Sequence, residues 1–262
     1  MTPNGAGLPA TRARARREQQ WHDAHLPQPG SSSRAFGSYW QTPGGRVRYR
    51  RRLGYLQQVL SSLPVAAPVL IIGSGDGSWA GDVKRLVAGP VHALDVSFEL
   101  CRRTRMDNGV TVVAGDAHEL PYPASTFAAV VSISVLHHLD LEIAIREIRR
   151  VLRVGGVLVG SEPNGLNPQV RWMQSGARRR TRYGLTPDER AFTMRTLENA
   201  LARSFPVARV RPFDFWHPAL GGARPHSLRE RVLRIPERIP VLRLLGGSLW
   251  FEAYLGAGTS EK

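Results

Sequence analysis

Short apolar runs alternate with amphipathic stretches along most of the chain. The run 69–72 (VLII) is wholly apolar and largely β-branched, which is typical of a buried strand in a parallel sheet. Similar runs predict strands at 91–95, 110–116, 127–133, 157–161, 206–213 and 248–255. Helical spacing of apolar residues predicts helices at 46–63, 80–88, 140–152 and 193–203. The alternation predicts an α/β domain with a parallel sheet that binds ligands at the carboxyl ends of its strands.

Three alternating glycines follow the first predicted strand directly. Gly73, Gly75 and Gly77 lie between the run 69–72 and the predicted helix 80–88. Glycine allows a tight turn and a close approach of the backbone to a ligand, and the helix start offers unpaired N–H groups. The turn therefore predicts a nucleotide-like ligand, although a tight strand-to-helix turn without a ligand has the same pattern.

Two later strands end in carboxylates. Asp95 ends the run 91–95, 18 positions after Gly77, and Asp116 ends the run 110–116. At the tip of the second strand a carboxylate can accept hydrogen bonds from both hydroxyls of a ribose. A second carboxylate beside it can accept a hydrogen bond from the 6-amino group of adenine. The alternative for Asp95 is a cap on the following helix.

Composition limits the classes of partner. The chain has 262 residues and a formal charge of +15, which suits a nucleic acid or another anionic surface. However, Lys84 and Lys262 are its only lysines, and such arginine-rich usage also follows from GC-rich coding. With Cys101 as the only cysteine, an internal disulfide and a cysteine-based zinc site are excluded. No apolar run reaches transmembrane length and no signal core follows the N-terminal arginines, so we expect a cytoplasmic protein without stable membrane insertion.

The chain divides into a tail and one domain. Residues 1–35 are rich in Pro, Gly, Ser, Arg and Gln, and we interpret them as a disordered basic tail. The domain spans 36–262 and starts with a lid and helix at 36–64. The stretches 164–190 and 214–247 are interpreted as insertions over the substrate pocket, the first of them loop-like and arginine-rich. The basic side of helix 46–63 is interpreted as a solvated face.

Taken in order, these motifs resemble the class I S-adenosylmethionine-dependent methyltransferases, particularly the small-molecule type. The resemblance is specific over about residues 65–165 and loose elsewhere. It is carried by the run 69–77 (VLIIGSGDG), Asp95, the run 115–117 (GDA) with Leu120 and Pro121, the run 135–139 (VLHHL), and the run 152–156 (LRVGG). The family implies a Rossmann-like, seven-stranded, mostly parallel sheet with helices on both faces and an antiparallel last strand.

The resemblance also implies how the cofactor S-adenosylmethionine is bound. In the family the glycine turn contacts the methionine moiety and sugar, and an acidic strand end binds the ribose. The residues that would take these and the neighbouring roles are Gly73, Ser74, Gly75 and Gly77 for the turn, Asp95 for the ribose with Val96 beside the adenine, Asp116 and Ala117 for the adenine edge, and Ile133 for backbone near the sulfonium.

Two positions depart from the family. Ile71 stands where an acidic residue usually contacts the amino group of the cofactor, and Ala128 replaces a common aspartate. We expect the first contact to be missing or supplied elsewhere. Ser78 occupies the place of the third glycine of a dinucleotide fingerprint, which argues against a nicotinamide enzyme.

Methyl transfer from a sulfonium needs aligned reactants and exclusion of water, and a base only where the acceptor must lose a proton. His137 and His138 are the candidate bases, because a histidine titrates near neutral pH. Residues that could contact the substrate are Tyr39, Trp40 and Glu162, with Asp214 and His217 as further candidates. No His, Asp and Glu cluster has the spacing of metal ligands, so no metal is predicted.

Three functions stay open. The first is methyl transfer to a small secondary-metabolite, lipid-like or sugar-bearing molecule by in-line displacement. The second is an RNA or protein methyltransferase that uses the basic surface, although the sequence after the fourth strand (SISV) lacks the Asn-Pro-Pro-Tyr-like tetrapeptide of base-methylating enzymes. The third is a cofactor-binding homologue without activity. We expect a monomer or a homodimer.

Overall fold

The computed structural model describes residues 7–26, 40, 42–104, 109–215, 232 and 234–256. Within these residues the strands are β1 Val69–Ile72, β2 Val91–Asp95, β3 Thr111–Ala114, β4 Phe127–Ile133, β5 Leu152–Pro163, β6 Val207–Phe213 and β7 Ser248–Tyr254. The helices are α1 Gly7–Ala24, α2 Pro43–Leu60, α3 Ser78–Leu86, α4 Phe98–Thr104, α5 Leu141–Val151, α6 Pro168–Gln174, α7 Ala177–Arg182, α8 Met194–Ala202 and α9 Pro240–Arg243. Short 3₁₀ turns lie at Leu136–His138 and Ile235–Arg238.

The seven strands form one sheet in the order β3-β2-β1-β4-β5-β7-β6. Strands β1 to β5 pair in parallel, and β7 is antiparallel to both β5 and β6. The order reverses between β1 and β4, which is where a doubly wound sheet opens a crevice for ligands. The predicted Rossmann-like fold, mostly parallel with an antiparallel last strand, is confirmed.

Successive residues of β1 point to the two faces of the sheet, each of which is covered by helices. Leu70 and Ile72 face a core that includes apolar residues of α5 and α8. Val69 and Ile71 face a second core, which includes apolar residues of α2 and α3. Ile71 is 1% exposed. The departure from the family at this position therefore packs into the core, where an unpaired carboxylate would be costly.

The prediction of a disordered tail is wrong for residues 7–24, which form the helix α1. Side chains along α1 bind distant parts of the domain: Arg12 Nη2 lies 3.0 Å from Glu119 Oε2, and Arg17 Nε donates to Asp188 Oδ2 at 2.8 Å. Near the end of the helix, the Ser97 hydroxyl donates to Asp23 Oδ1 at 2.5 Å. Hydrogen bonds and ion pairs hold α1 to the domain more than apolar burial does. The polar composition of residues 7–24 is therefore compatible with an ordered helix. The rest of the predicted tail lies outside the described residues.

The two predicted insertions meet each other. The first, expected to be loop-like, contains the short helices α6 and α7. Asn164 Nδ2 donates to the carbonyls of Leu244 at 2.9 Å and Gly246 at 2.7 Å. Asn167 Nδ2 donates to the carbonyl of Leu245 at 2.7 Å. These bonds join the segment after β5 to the segment before β7, at the carboxyl edge of β5. Half of the second insertion, residues 216–231 and 233, lies outside the described part.

The basic side of α2 was predicted to be a solvated face, and this is wrong for three arginines, which bind carboxylates of the domain. Arg48 Nε and Arg52 Nη1 donate to Asp214 Oδ2 at 2.5 and 2.9 Å, and Arg51 Nη2 lies 2.6 Å from Glu237 Oε2. Burial raises the pKa of the Asp214 carboxyl, but the three arginines outweigh it and hold that pKa below its ordinary value. Asp214, a candidate substrate contact from the sequence, therefore neutralises buried arginines. His217 lies outside the described residues.

Candidate active site

The glycine turn between β1 and α3 has the backbone that only glycine adopts readily. Gly73, Gly75 and Gly77 have φ values of 67°, 55° and 83°, in the left-handed region. Gly73 N–H and Ser74 N–H donate to the carbonyl of Leu94 at 2.7 and 3.1 Å, which ties the turn to β2. A side chain at Gly73 would place its Cβ 2.3 Å from Val135 Cγ2. The turn thus brings bare backbone to the carboxyl end of β2.

Asp95, the last residue of β2, lies buried beside this turn. Its Oδ2 accepts from Gly75 N–H at 2.9 Å and its Oδ1 from Ser97 N–H at 3.0 Å. Burial raises the pKa of Asp95 to about 6, against the lowering effect of these two N–H groups. Each carboxylate oxygen can accept a second hydrogen bond. Asp95 therefore has the capacity for two further donors, such as the hydroxyls of a ribose.

Asp116 follows β3 and lines the same cavity. Its Oδ1 accepts from His118 N–H at 2.9 Å and lies 2.6 Å from His118 Nδ1. His118 Nε2 accepts from Asp140 N–H at 2.8 Å, so the ring proton lies on Nδ1 and is donated to Asp116. His118 thereby orients the second carboxylate. The sequence did not single out this histidine, although it stands two residues after Asp116.

A cavity connects these groups. Among the described residues its walls include Gly73, Asp95, Val96, Asp116, Ala117, Ile133 and His138. The turn residues Ser74, Gly75 and Gly77 are not among the residues that line it. The left-handed Ser134, with φ 59°, also lines it at the end of β4, and such strained backbone clusters at functional sites. The cavity brings together the glycine turn, both carboxylates and the end of β4.

Helix α1 forms another wall of the cavity, through Ala15, Glu18 and His22. The cavity volume is about 90 Å³, whereas sites that enclose small-molecule ligands measure about 300–1,000 Å³. The hydrogen-bonding groups at the strand ends match those of a nucleoside, but the enclosed volume is small for a nucleoside.

Glu162, at the end of β5, was predicted to contact the substrate. It is 1% exposed, and it accepts N–H bonds from Val135 at 3.0 Å, Leu136 at 2.9 Å and His137 at 3.4 Å. Its Oε2 also contacts His137 Nδ1. Burial lowers the pKa of His137, but the charge and hydrogen bond of Glu162 outweigh it and raise that pKa. Glu162 therefore shapes the segment after β4, and His137, which is buried and paired with Glu162, is poorly placed to act as a base.

His138 has the better position for a base, because it is one of the residues that line the cavity. Its Nδ1 lies 3.2 Å from Thr186 Oγ1 and 3.2 Å from Glu18 Oε2. The Thr186 hydroxyl donates to Glu18 Oε1 at 2.8 Å, so it accepts from His138 Nδ1–H. In the neutral ring Nε2 is then the nitrogen that can accept a proton. Glu18 and Thr186 come from the tail and the first insertion, and sequence reasoning missed both.

Trp40, one of the two aromatic candidates, is not among the described residues that line this cavity. Trp40 packs edge-on against Tyr49 and Trp79, with ring centroids 5.9 and 5.7 Å apart, and Arg52 lies over its ring. Its neighbour Tyr39 lies outside the described residues. Trp40 thus anchors the start of α2 to α3.

The sequence predicted no metal, but the structure brings three ligand-type side chains together. Ligand atoms of His137, His138 and Glu189 lie within 4.8 Å of one another, a spacing that could hold an ion. They come from the segment after β4 and from the first insertion, so their spacing in sequence carries no such signal. His137 Nε2 also lies 3.5 Å from Glu189 Oε1 as an ion pair.

Comparison with known proteins identifies the central part of the chain. Residues 70–160 match the family model described as a methyltransferase domain. A chloroplastic 2-methyl-6-phytyl-1,4-hydroquinone methyltransferase of Oryza sativa is 40% identical over 94 residues, 34% of this chain and 27% of that protein. A fatty-acid O-methyltransferase of Mycolicibacterium smegmatis is 33% identical over 93 residues, 34% of each chain. A tRNA (carboxymethyluridine(34)-5-O)-methyltransferase of Arabidopsis thaliana is 35% identical over 105 residues, 38% of this chain and 25% of that protein.

These three alignments span about a third or less of each curated relative. A solved structure from Thermotoga maritima, a SAM-dependent methyltransferase, covers 82% of this chain and 99% of its own with a TM-score of 0.57. At 20% identity that similarity shows the fold alone. The family match, the fold and the residues at the strand ends agree that the central part of the chain, residues 70–160, is a methyltransferase domain. Its cofactor is S-adenosylmethionine.

Proposed function

We propose that the protein transfers a methyl group from S-adenosylmethionine to a lipid-like small molecule. The observation that carries the proposal is that His138, Ile133 and both carboxylates, Asp95 and Asp116, line one cavity. A proton acceptor and the cofactor-binding groups would then face the same space. Two relatives, a phytyl hydroquinone methyltransferase and a fatty-acid O-methyltransferase, support a lipid-like acceptor.

The cofactor, when bound, supplies an activated methyl group on a sulfonium. Asp95 and Asp116 would hold the nucleoside, and the strained Ser134 at the end of β4 would line the same space. His138 Nε2 would take the proton that the acceptor's oxygen, nitrogen or carbon loses when it receives the methyl group, and S-adenosylhomocysteine would be left. Glu18, 3.2 Å from His138 Nδ1, stabilises the imidazolium that forms. Helix α1 excludes water from the cavity.

The proposal is tested with purified protein, labelled S-adenosylmethionine and a panel of hydroquinones, fatty acids and glycosylated lipids. We expect label in at least one lipid-like acceptor. In His138→Gln the turnover falls by about 10²–10⁴, the usual contribution of a general base, while cofactor affinity is unchanged. His25→Gln, an exposed histidine outside the cavity, is the matched control. Full turnover in His138→Gln would remove the assigned role of His138, and no labelled lipid would contradict the acceptor class.

A second candidate is an RNA methyltransferase. It is favoured by the exposed arginines of the first insertion, such as Arg171, Arg178 and Arg182, and by the tRNA methyltransferase among the relatives. Label in total RNA but in no lipid would select it. For either acceptor we propose a cytoplasmic enzyme that acts as a monomer or a homodimer.

A further inference from the structure

Large apolar side chains are exposed mainly in one part of the surface. Of the eleven such residues in the described part of the chain, eight fall within residues 166–172 and 232–245. Val241 is 72% exposed, and Trp172 and Ile235 are 49% and 51% exposed. Isolated exposed apolar residues are normal, but a concentration of them marks a site of interaction.

The two segments form one surface, which we call the insertion face: residues 166–182, 232 and 234–245. Asn164 and Asn167 bind the backbone carbonyls of Leu244, Leu245 and Gly246, so the start of α6 lies against the end of the second segment. The first segment follows the carboxyl end of β5, and the second precedes β7, which is antiparallel to β5. The insertion face therefore lies at the carboxyl ends of the parallel strands, on the side of the sheet that also carries the cofactor cavity.

Arginines are interspersed with these apolar residues. Residues 166–182 contain five arginines and no acidic residue. The second segment has Arg234, Arg238 and Arg243, all exposed, and its one acidic residue, Glu237, is bound to Arg51 and to Asp214 N–H. The Arg179 guanidinium lies 5.3 Å above the Trp172 ring. The face thus combines apolar side chains with unneutralised positive charge, which is complementary to an anionic lipid surface.

We propose that the insertion face docks on an anionic lipid bilayer and that the acceptor enters the site from that bilayer. The apolar side chains would enter the headgroup region while the arginines bind lipid phosphates. Pro236 and Pro240 start short turns rather than a long helix, so the contact consists of side chains on turns. Within the described residues no helix is long and apolar enough to span a bilayer. The inference rests on the lipid-like acceptor of the proposed function.

The test is flotation of the full-length protein with phosphatidylcholine vesicles, with and without phosphatidylglycerol. We expect binding only to the anionic vesicles and weakening by salt. Replacing Arg234, Arg238 and Arg243 with glutamine should weaken binding about a hundredfold, since each basic residue at an anionic surface contributes about fivefold. The control is the triple replacement of Arg146, Arg153 and Arg195, which are exposed arginines outside the face. This replacement should weaken vesicle binding by less than about tenfold.

The apolar part is tested separately by Val241→Asp. Val65→Asp and Val154→Asp are matched controls, because these valines are 88% and 87% exposed and lie just before β1 and in the first part of β5, at the opposite edge of the sheet. We expect Val241→Asp to lower binding at least tenfold and both controls to bind as the unmodified protein. Unchanged cofactor affinity confirms that each variant is folded.

The docking inference is overturned if the unmodified protein does not bind anionic vesicles at physiological salt, if controls and face variants lose binding equally, or if RNA alone is bound. Methylation of a detergent-dispersed lipid without vesicle binding overturns the docking inference and leaves the proposed function. Vesicle binding by a protein that methylates no lipid supports docking and overturns the lipid-like acceptor.

Discussion

Replacement of Asp95 by asparagine isolates the carboxylate at the end of β2. The side chain keeps its size, but one of the two oxygens that face Gly75 N–H and Ser97 N–H becomes an NH₂ group. The variant can therefore accept from one ribose hydroxyl only, and without a formal charge. A hydrogen bond to a charged group contributes about 1.5–3 kcal/mol. We expect the dissociation constant for S-adenosylmethionine to rise about 10- to 150-fold.

Isothermal titration calorimetry measures this change, with thermal unfolding as a check on the fold. The matched control is Glu147→Gln in α5, because the carboxylate of Glu147 also accepts a backbone bond, from Leu120 N–H at 3.0 Å. Glu147 is not in the cavity wall, so its replacement should leave cofactor affinity within about twofold. An Asp95→Asn protein that binds the cofactor as tightly as the unmodified protein would refute the ribose assignment.

Four further predictions concern pH, the helix α1, the buried arginines and metal ions. Burial raises the pKa of Asp95 to about 6, and ribose binding needs the ionised form; cofactor affinity should therefore fall about tenfold per pH unit below 6, and calorimetry should show no such fall in Asp95→Asn. Deletion of residues 1–25 removes the α1 wall of the cavity and should speed cofactor dissociation at least tenfold in stopped-flow fluorescence; an unchanged rate would contradict a covering role for α1. Asp214→Ala leaves Arg48 and Arg52 without their shared carboxylate and should cost about 3–5 kcal/mol of unfolding free energy in denaturant titrations, whereas Glu142→Ala, at an exposed ion pair, should cost under about 1 kcal/mol. A chelator should leave methyl transfer unchanged, because His137 is already paired with Glu162 and His138 with Glu18; loss of activity restored by a divalent ion would show that His137, His138 and Glu189 hold a metal.

Local sequence carried most of the information about the sheet and the nucleoside end of the site. The glycines of the first turn and the acidic ends of β2 and β3 are local signals, because a strand end fixes where its last side chain points. Strand β4 was predicted at its observed bounds because its run of mainly apolar residues is also a local signal. The roles given to these residues toward the cofactor stay predictions that the binding experiments test.

The acceptor end depends on contacts between parts of the chain that are far apart. Glu18 reaches His138 from 120 positions away, and no pattern in the polar tail reveals that pairing. Arg52 looked like a surface arginine because its carboxylate, Asp214, lies beyond β6. Buried polar networks of this kind have no periodicity, whereas strands and helices do. The acceptor-side residues were therefore the least predictable from sequence.

The most direct test of the whole account is calorimetric titration of the full-length, unmodified protein with S-adenosylmethionine and with its demethylated product, S-adenosylhomocysteine. The account predicts that one equivalent of either compound binds per chain and that the two compete for one site. Absence of binding by both compounds would contradict it.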